Sequence, residues 1–188
     1  MSAPAPPQWT SVPGWTRAPV IEDVDPAGAA HVVLEVVAPG TAAVVARWCA
    51  ALDERVLAVH RAPDAETAAG LLADAMAATH VGVRLLLAGE AEACLVLRAA
   101  ALRLGLVEEE VRVGVVAVSR RRVRCAHCAA TTTAAADLDG TVGCVGCGRE
   151  LLVYPHVSRL QGTHLGFQVD AELPDGQVLP EVAEEVSA

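Results

Sequence analysis

From His31 onward the chain alternates short apolar runs with stretches whose apolar residues recur at helical spacing. His31-Val32-Val33-Leu34-Glu35-Val36-Val37 reads as a buried strand and Ala38-Pro39-Gly40-Thr41 as a turn. Thr41 then caps a helix to about Glu54, with Val44, Trp48 and Leu52 on one face. Arg55 to His60 is a second strand. Pro63 and Asp64 open a second helix that runs through Leu71, Leu72, Ala75 and Met76 to about Ala78. Val81 to Ala88 is a third strand, Glu90 to Leu104 a third helix stopped by Gly105, and Val111 to Val118 a fourth strand. The order is β-α-β-α-β-α-β. Apolar strands joined by helices imply right-handed crossovers, so the expected fold class is α/β, with a parallel sheet covered on both faces.

The flanks read differently. Residues 1–30 are rich in Pro, Ser, Ala and Gly, and no regular element is expected there. Trp9 and Trp15 in this arm either pack back on the domain or anchor a partner. After the α/β unit (31–119), Ser119-Arg120-Arg121-Arg122-Val123-Arg124 reads as a linker whose arginines pair with nearby carboxylates, or as a grip on phosphate. A β-rich unit follows (120–173), with strands expected over Arg149 to Tyr154 and Leu165 to Val169 in a three-stranded sheet. An acidic tail (174–188), with Glu181, Glu184 and Glu185, is expected to stay solvated.

Composition narrows the class. Of 188 residues 53% are hydrophobic and 20% charged, which is ample for a core. No apolar run suffices to span a membrane, and the Pro-rich start does not resemble a signal peptide, so a soluble, cytoplasmic protein is expected. The net charge is −9 and all 14 basic residues are Arg. Such a chain repels a nucleic-acid backbone unless its arginines are concentrated locally.

The clearest chemistry lies in the last third. Cys125-Ala126-His127-Cys128 and Cys144-Val145-Gly146-Cys147 are two CxxC pairs separated by fifteen residues, the spacing of a zinc ribbon. Each CxxC turn aims two sulfurs at one point, and Asp139-Gly140 supplies the turn that brings the two knuckles together. Cys125, Cys128, Cys144 and Cys147 are therefore the expected metal ligands. The site is expected to be structural, because four thiolates fill a tetrahedron and leave no open position. Zinc is the expected ion, and a rubredoxin-like iron is the alternative that the same sulfur set accepts. Paired disulfides would need an oxidising compartment. His127, inside the first knuckle, is expected to be exposed or to lie behind the ligands.

Cys49 and Cys94 fall among apolar neighbours in helical patterns and read as core thiols. His31, His60 and His80 form no catalytic or metal spacing. His156, His164, Asp170 and Glu172 could form a second metal site, but at no standard spacing. No nucleophile or acid–base pair stands out, so no catalytic residue is assigned.

Val83 to Val116 resembles the last strand-helix-strand unit of the NAD-binding domain of ferredoxin-reductase-type flavoproteins. That family runs from this strand into Cys-Gly-Pro; here the tripeptide is Ala88-Gly89-Glu90, and the thiol beside the nicotinamide is missing. Ala38-Pro39-Gly40-Thr41 is similar to a degenerate form of that family's phosphate turn, with one glycine where a pyrophosphate needs close backbone approach. The expectation is a scaffold without hydride transfer.

The second knuckle with GRELLVYPHVSRLQGTHLGFQVDAE resembles the C-terminal zinc ribbon of the small A-type subunit of bacterial dimethylamine monooxygenase. The likeness covers most of the chain and is specific over Cys125 to Glu172. It implies a non-catalytic accessory subunit of a hetero-oligomeric amine monooxygenase, with zinc on this chain. It places haem, flavin, iron–sulfur and NAD(P)H on partner subunits. The family's motif carries over onto Cys125, Cys128, Cys144 and Cys147 and marks His156 to Glu172 as a family surface of unknown role; that segment and the arm around Trp9 and Trp15 are expected to contact the haem- or flavin-bearing subunits. A nucleic-acid-binding zinc ribbon and a rubredoxin-like electron carrier are the alternative readings.

Overall fold

The computed structural model describes residues 11–169. The first unit is a five-stranded sheet in the order β1-β5-β4-β2-β3. Its strands are β1 (Val20–Ile21), β2 (Ala30–Val36), β3 (Val56–Ala62), β4 (Val83–Gly89) and β5 (Val111–Val115). β5, β4, β2 and β3 run parallel, as their apolar runs require, and β1 adds to the β5 edge antiparallel. The arm therefore does form a strand, against expectation. Its Val20 and Ile21 pair with Val115 and Gly114 at an edge with free backbone groups.

Helix α1 (Thr41–Leu52) covers one face of this sheet, burying Val44, Val45, Trp48 and Leu52 against Val33 and Leu86. Burial of each such side chain contributes about 2 kcal/mol. Trp48 fits because β5 carries Gly114 beneath it, where a Cβ would stand 2.4 Å from Val44 and 2.7 Å from the indole. The indole N–H donates to the Glu22 carbonyl, tying the arm down. Gly40, at φ 95°, and not Thr41, is the N-cap. The Thr41 hydroxyl instead bonds the Ala38 carbonyl and the buried Glu35.

Helices α2 (Ala65–Ala77) and α3 (Ala91–Arg103) cover the other face. Asp64 caps α2 by accepting the Thr67 N–H at 2.7 Å. Gly105, at φ 98°, closes α3 with the Leu106 N–H bonded to the Ala101 carbonyl, as its position predicts. Nine of the 13 residues of α3 are buried. Its all-round apolar sequence reflects two neighbours, because Cys94, Leu97 and Ala101 face the first sheet while Leu95 meets Val12 and Val157 of other segments.

The second unit is also a five-stranded sheet, not the expected three, in the order β7-β6-β10-β9-β8. It comprises β6 (Arg120–Cys125), β7 (Thr131–Ala135), β8 (Thr141–Gly143), β9 (Glu150–Ser158) and β10 (Thr163–Gln168). The stretch expected as a linker is strand β6. Its alternation was hidden by four charged side chains, of which Arg121 points inward with Val123 and Cys125. β6 pairs parallel with β10 and antiparallel with β7, so the last strand of the unit returns beside its first.

The two units are stitched together. The β9–β10 turn presses Gly162 onto the backbone of α3, Arg122 pairs with Glu66 of α2, Arg159 pairs with Glu108, and Arg103 donates to the Leu160 carbonyl. The arm crosses both: Ser11 accepts the Val157 N–H and bonds His156, and Trp15 packs half-buried against the α/β core and the small cluster of Val12, Leu95 and Val157. Among the described residues no helix is long and apolar enough to cross a membrane.

Candidate metal centre

The four cysteines come from two knuckles that repeat one backbone geometry. Cys125 ends β6; its N–H donates to the Ala130 carbonyl and its carbonyl accepts from the Ala129 N–H. Cys144 follows β8; its N–H donates to the Arg149 carbonyl and its carbonyl accepts from the Gly148 N–H. In each knuckle the residue four after the first cysteine is left-handed, Ala129 at φ 63° and Gly148 at φ 70°. Asp139, at φ 64°, sits in the expected turn between the knuckles, and its N–H donates to the Val153 carbonyl of β9.

This frame brings one sulfur from each of Cys125, Cys128, Cys144 and Cys147 within 4.8 Å of all the others. Cys125 Sγ lies 3.8 Å from Cys147 Sγ, and Cys128 Sγ lies 3.5 Å from Cys144 Sγ. Metal–sulfur bonds of about 2.3 Å in a tetrahedron place sulfurs about 3.8 Å apart, so the set fits a four-coordinate ion. Both separations are far longer than the disulfide bond of about 2.05 Å, and they suit sulfurs that share one ion. Gly146 is required by space: a Cβ there would stand 2.6 Å from the Ala130 Cβ and 3.0 Å from Cys128 Sγ.

The electrostatics suit a cation. The N–H groups of Cys147 and Gly146 point at Cys144 Sγ, the latter at 3.4 Å, and bring its thiol down to about 6. At Cys128 the Ala130 N–H pulls the same way but is outweighed by desolvation and the other three sulfurs, which hold its thiol up at about 11. One thiolate in the cluster thus opposes the next, and a bound dication removes that conflict. Cys125 and Cys144 are buried in the ribbon core with Val123, Val142, Leu151 and Val153, whereas Cys128 is exposed.

The other sequence candidates lie apart. His127 is exposed and outside the sulfur cluster. Cys94 is sealed in the core, where burial pushes its thiol far up and its S–H faces the Leu87 carbonyl; Cys49 is half-buried beside α1's core. His31 is buried and bonded to the Asp25 and Arg55 carbonyls. Among the described residues the four cysteines are the group with metal-binding proximity, and His156 and His164 do not join it. Asp170, Glu172, Trp9 and the acidic tail fall outside the described residues.

At the carboxyl ends of β2 and β4, where the strand order reverses, lies a crevice of about 510 Å³. Asp64, Glu66, Glu90 and Glu92 line it, opposed by Arg120 and Arg122 from β6. On the other side of the sheet, buried Glu35 stands beside the first turn of α1, bonded to Thr41 and to Arg61 at 2.7 Å each. The sequence reading missed both this carboxylate and an exposed aromatic pair, Tyr154 and Phe167, which meet edge-to-face at 5.7 Å on β9 and β10. Tyr154 lies five residues before the β9–β10 turn and Phe167 five residues after it, and that equal spacing is the signal that could have brought them together.

Comparison with known proteins bears on the same region. Residues 122–167 match the family described as dimethylamine monooxygenase subunit DmmA-like, C-terminal domain. The chain is also 36% identical over 100 residues to the heme-dependent oxidative N-demethylase delta subunit of Ectopseudomonas mendocina (strain ymp). That match covers 53% of this chain and 56% of the relative, so it spans little more than half of that protein. No solved structure matches. The matched segment, residues 122–167, takes in both cysteine knuckles and most of the ribbon, so it is this part of the chain that is similar to the DmmA-like C-terminal domain.

Proposed function

We propose that this chain is a non-catalytic accessory subunit of a haem-dependent oxidative N-demethylase acting on a secondary amine such as dimethylamine. The observation that carries the reading is the coincidence of the DmmA-like segment with the four-cysteine ribbon, in a chain similar to a delta subunit of such an enzyme. Cys125, Cys128, Cys144 and Cys147 hold one structural zinc, and haem, flavin, iron–sulfur and NAD(P)H chemistry resides on partner subunits. With four thiolates filling the coordination sphere, the ion supplies rigidity and no site for substrate.

The α/β unit is a scaffold in this reading. A dinucleotide needs a positive, glycine-lined helix start, whereas here the Glu35 side chain, bonded to Thr41 and Arg61, occupies the first turn of α1 and four carboxylates line the switch-point crevice. The partner-facing surface centres on Tyr154, Phe167 and Val169, which are 46%, 42% and 42% exposed. Aromatic groups of this kind anchor protein interfaces. Trp15 is already spent on the chain's own core, so the docking role expected for the arm moves to this face. The nucleic-acid alternative gains no support, because Arg121 is buried, Arg122 pairs with Glu66 and Arg120 faces the acidic crevice.

Reconstitution tests the reading. The haem- and flavin-bearing subunits should oxidise nicotinamide in response to dimethylamine markedly faster with this chain than without it, and Y154A/F167A should remove the gain. Equal rates with and without the chain would contradict it.

A further inference from the structure

On the inner face of the ribbon, Arg121 precedes Val123 and Cys125 along β6, and His164 of β10 stands beside Val123. Arg121 is 4% exposed and His164 0%. Nε and Nη1 of Arg121 and both ring nitrogens of His164 are sealed from solvent without a hydrogen-bond partner. The Tyr154 carbonyl lies near enough to favour a proton on the ring, yet outside bonding geometry. Arg17 of the arm adds positive charge to both groups. The counter-charge acting on Arg121 is Asp137, which does not come within ion-pair distance.

Buried polar groups in folded proteins are satisfied, and a buried guanidinium is paired. Two cation-capable side chains from two strands, both buried with empty donor positions, make the pattern of an anion cradle. We propose that Arg121 and His164 form a binding site for one small inorganic anion, a halide or compact oxyanion, between β6 and β10, with the charge of Arg17 on the arm adding longer-range attraction. The ligand class follows from the donors: no described carboxylate completes Arg121, and a water molecule fills the donor positions but leaves the charge unbalanced. The site is separate from the cysteine cluster and does not depend on the proposed enzyme function.

The test is thermal unfolding of the full chain with chloride, bromide or sulfate, at fixed ionic strength made up with gluconate, whose bulk keeps it out of a buried niche. At least one of the three should raise the midpoint saturably at millimolar concentration. Arg17 is exposed and its loss leaves the core intact, so R17A should fold normally and weaken that dependence about tenfold. R121Q should abolish it. Crystals grown in bromide should show an anomalous peak between Arg121 and His164. A midpoint independent of all three anions, an R17A titration equal to wild type, or density showing water alone or Asp137 folded onto Arg121 would overturn the proposal.

Discussion

Gly162 lies directly against the Leu95 carbonyl of α3: a Cβ at this position would stand 2.4 Å from that oxygen and 2.9 Å from the Val96 Cα. Backbone meets backbone here, so neither side can yield, and φ of 63° already disfavours any side chain. The contact fixes the cysteine-bearing ribbon on the α/β unit. G162A should cost about 3 kcal/mol or more, combining left-handed strain with overpacking. Chemical denaturation of the variant, with protease cutting at the β9–β10 turn as a local readout, checks this.

The matched knuckles give a prediction of opposite sign. Ala129 and Gly148 hold equivalent left-handed positions, but Ala129 carries a Cβ there. A129G should stabilise the protein by about 0.5–1 kcal/mol, and G148A should destabilise it by about 1 kcal/mol. Metal content should stay unchanged in A129G. Equal and same-signed effects in the two variants would refute the equivalence of the knuckles.

Metal removal should act on one half of the molecule. The sulfurs sit in the same small core as Val123, Val142, Leu151 and Val153, so a strong chelator should loosen the ribbon. Amide exchange should rise over β6 to β10 and stay slow in β2 and β4. C125S should reproduce the chelated state, and a red protein absorbing in the thiolate-to-iron region would replace zinc by iron.

His164 sets a pH dependence. Burial, Arg121 and Arg17 bring its pKa down to about 4 from 6.5, against a small opposing pull from the Tyr154 carbonyl. The folded state therefore binds fewer protons than the unfolded chain between these values. Stability is full above pH 6.5 and is lost as the pH falls toward 4, on the order of 2–3 kcal/mol. H164Q should flatten that slope in gluconate buffer. A saturating bound anion should flatten it in the unaltered protein, because it favours the charged ring.

Much of this was legible in the sequence where one local rule dominated. The β-α alternation, the Asp64 cap, the Gly105 stop and the CxxC spacing each depend on residues within a few positions of one another. What escaped depended on distant partners. Strand β1 exists because β5 offers an open edge, not because Val20 and Ile21 form a pattern. Strand β6 looked like a charged linker because Arg122 finds Glu66 far back in the chain and Arg121 faces an interior that four arginines in five residues do not announce. Glu35 read as one polar residue in a buried strand, and its partners Thr41 and Arg61 become visible when α1 and β3 are set beside it.

The central claim is that this chain is a stoichiometric, zinc-stapled member of an N-demethylase complex, and native mass spectrometry of the complex tests it most directly. The chain should be co-expressed with the haem- and flavin-bearing subunits and the assembly weighed intact, then after release of its parts. The account predicts an assembly that contains this chain, with one zinc on each copy released, and loss of the chain from it in Y154A/F167A. A haem- and flavin-bearing assembly of full activity that forms without the chain, while the chain elutes alone, would contradict it.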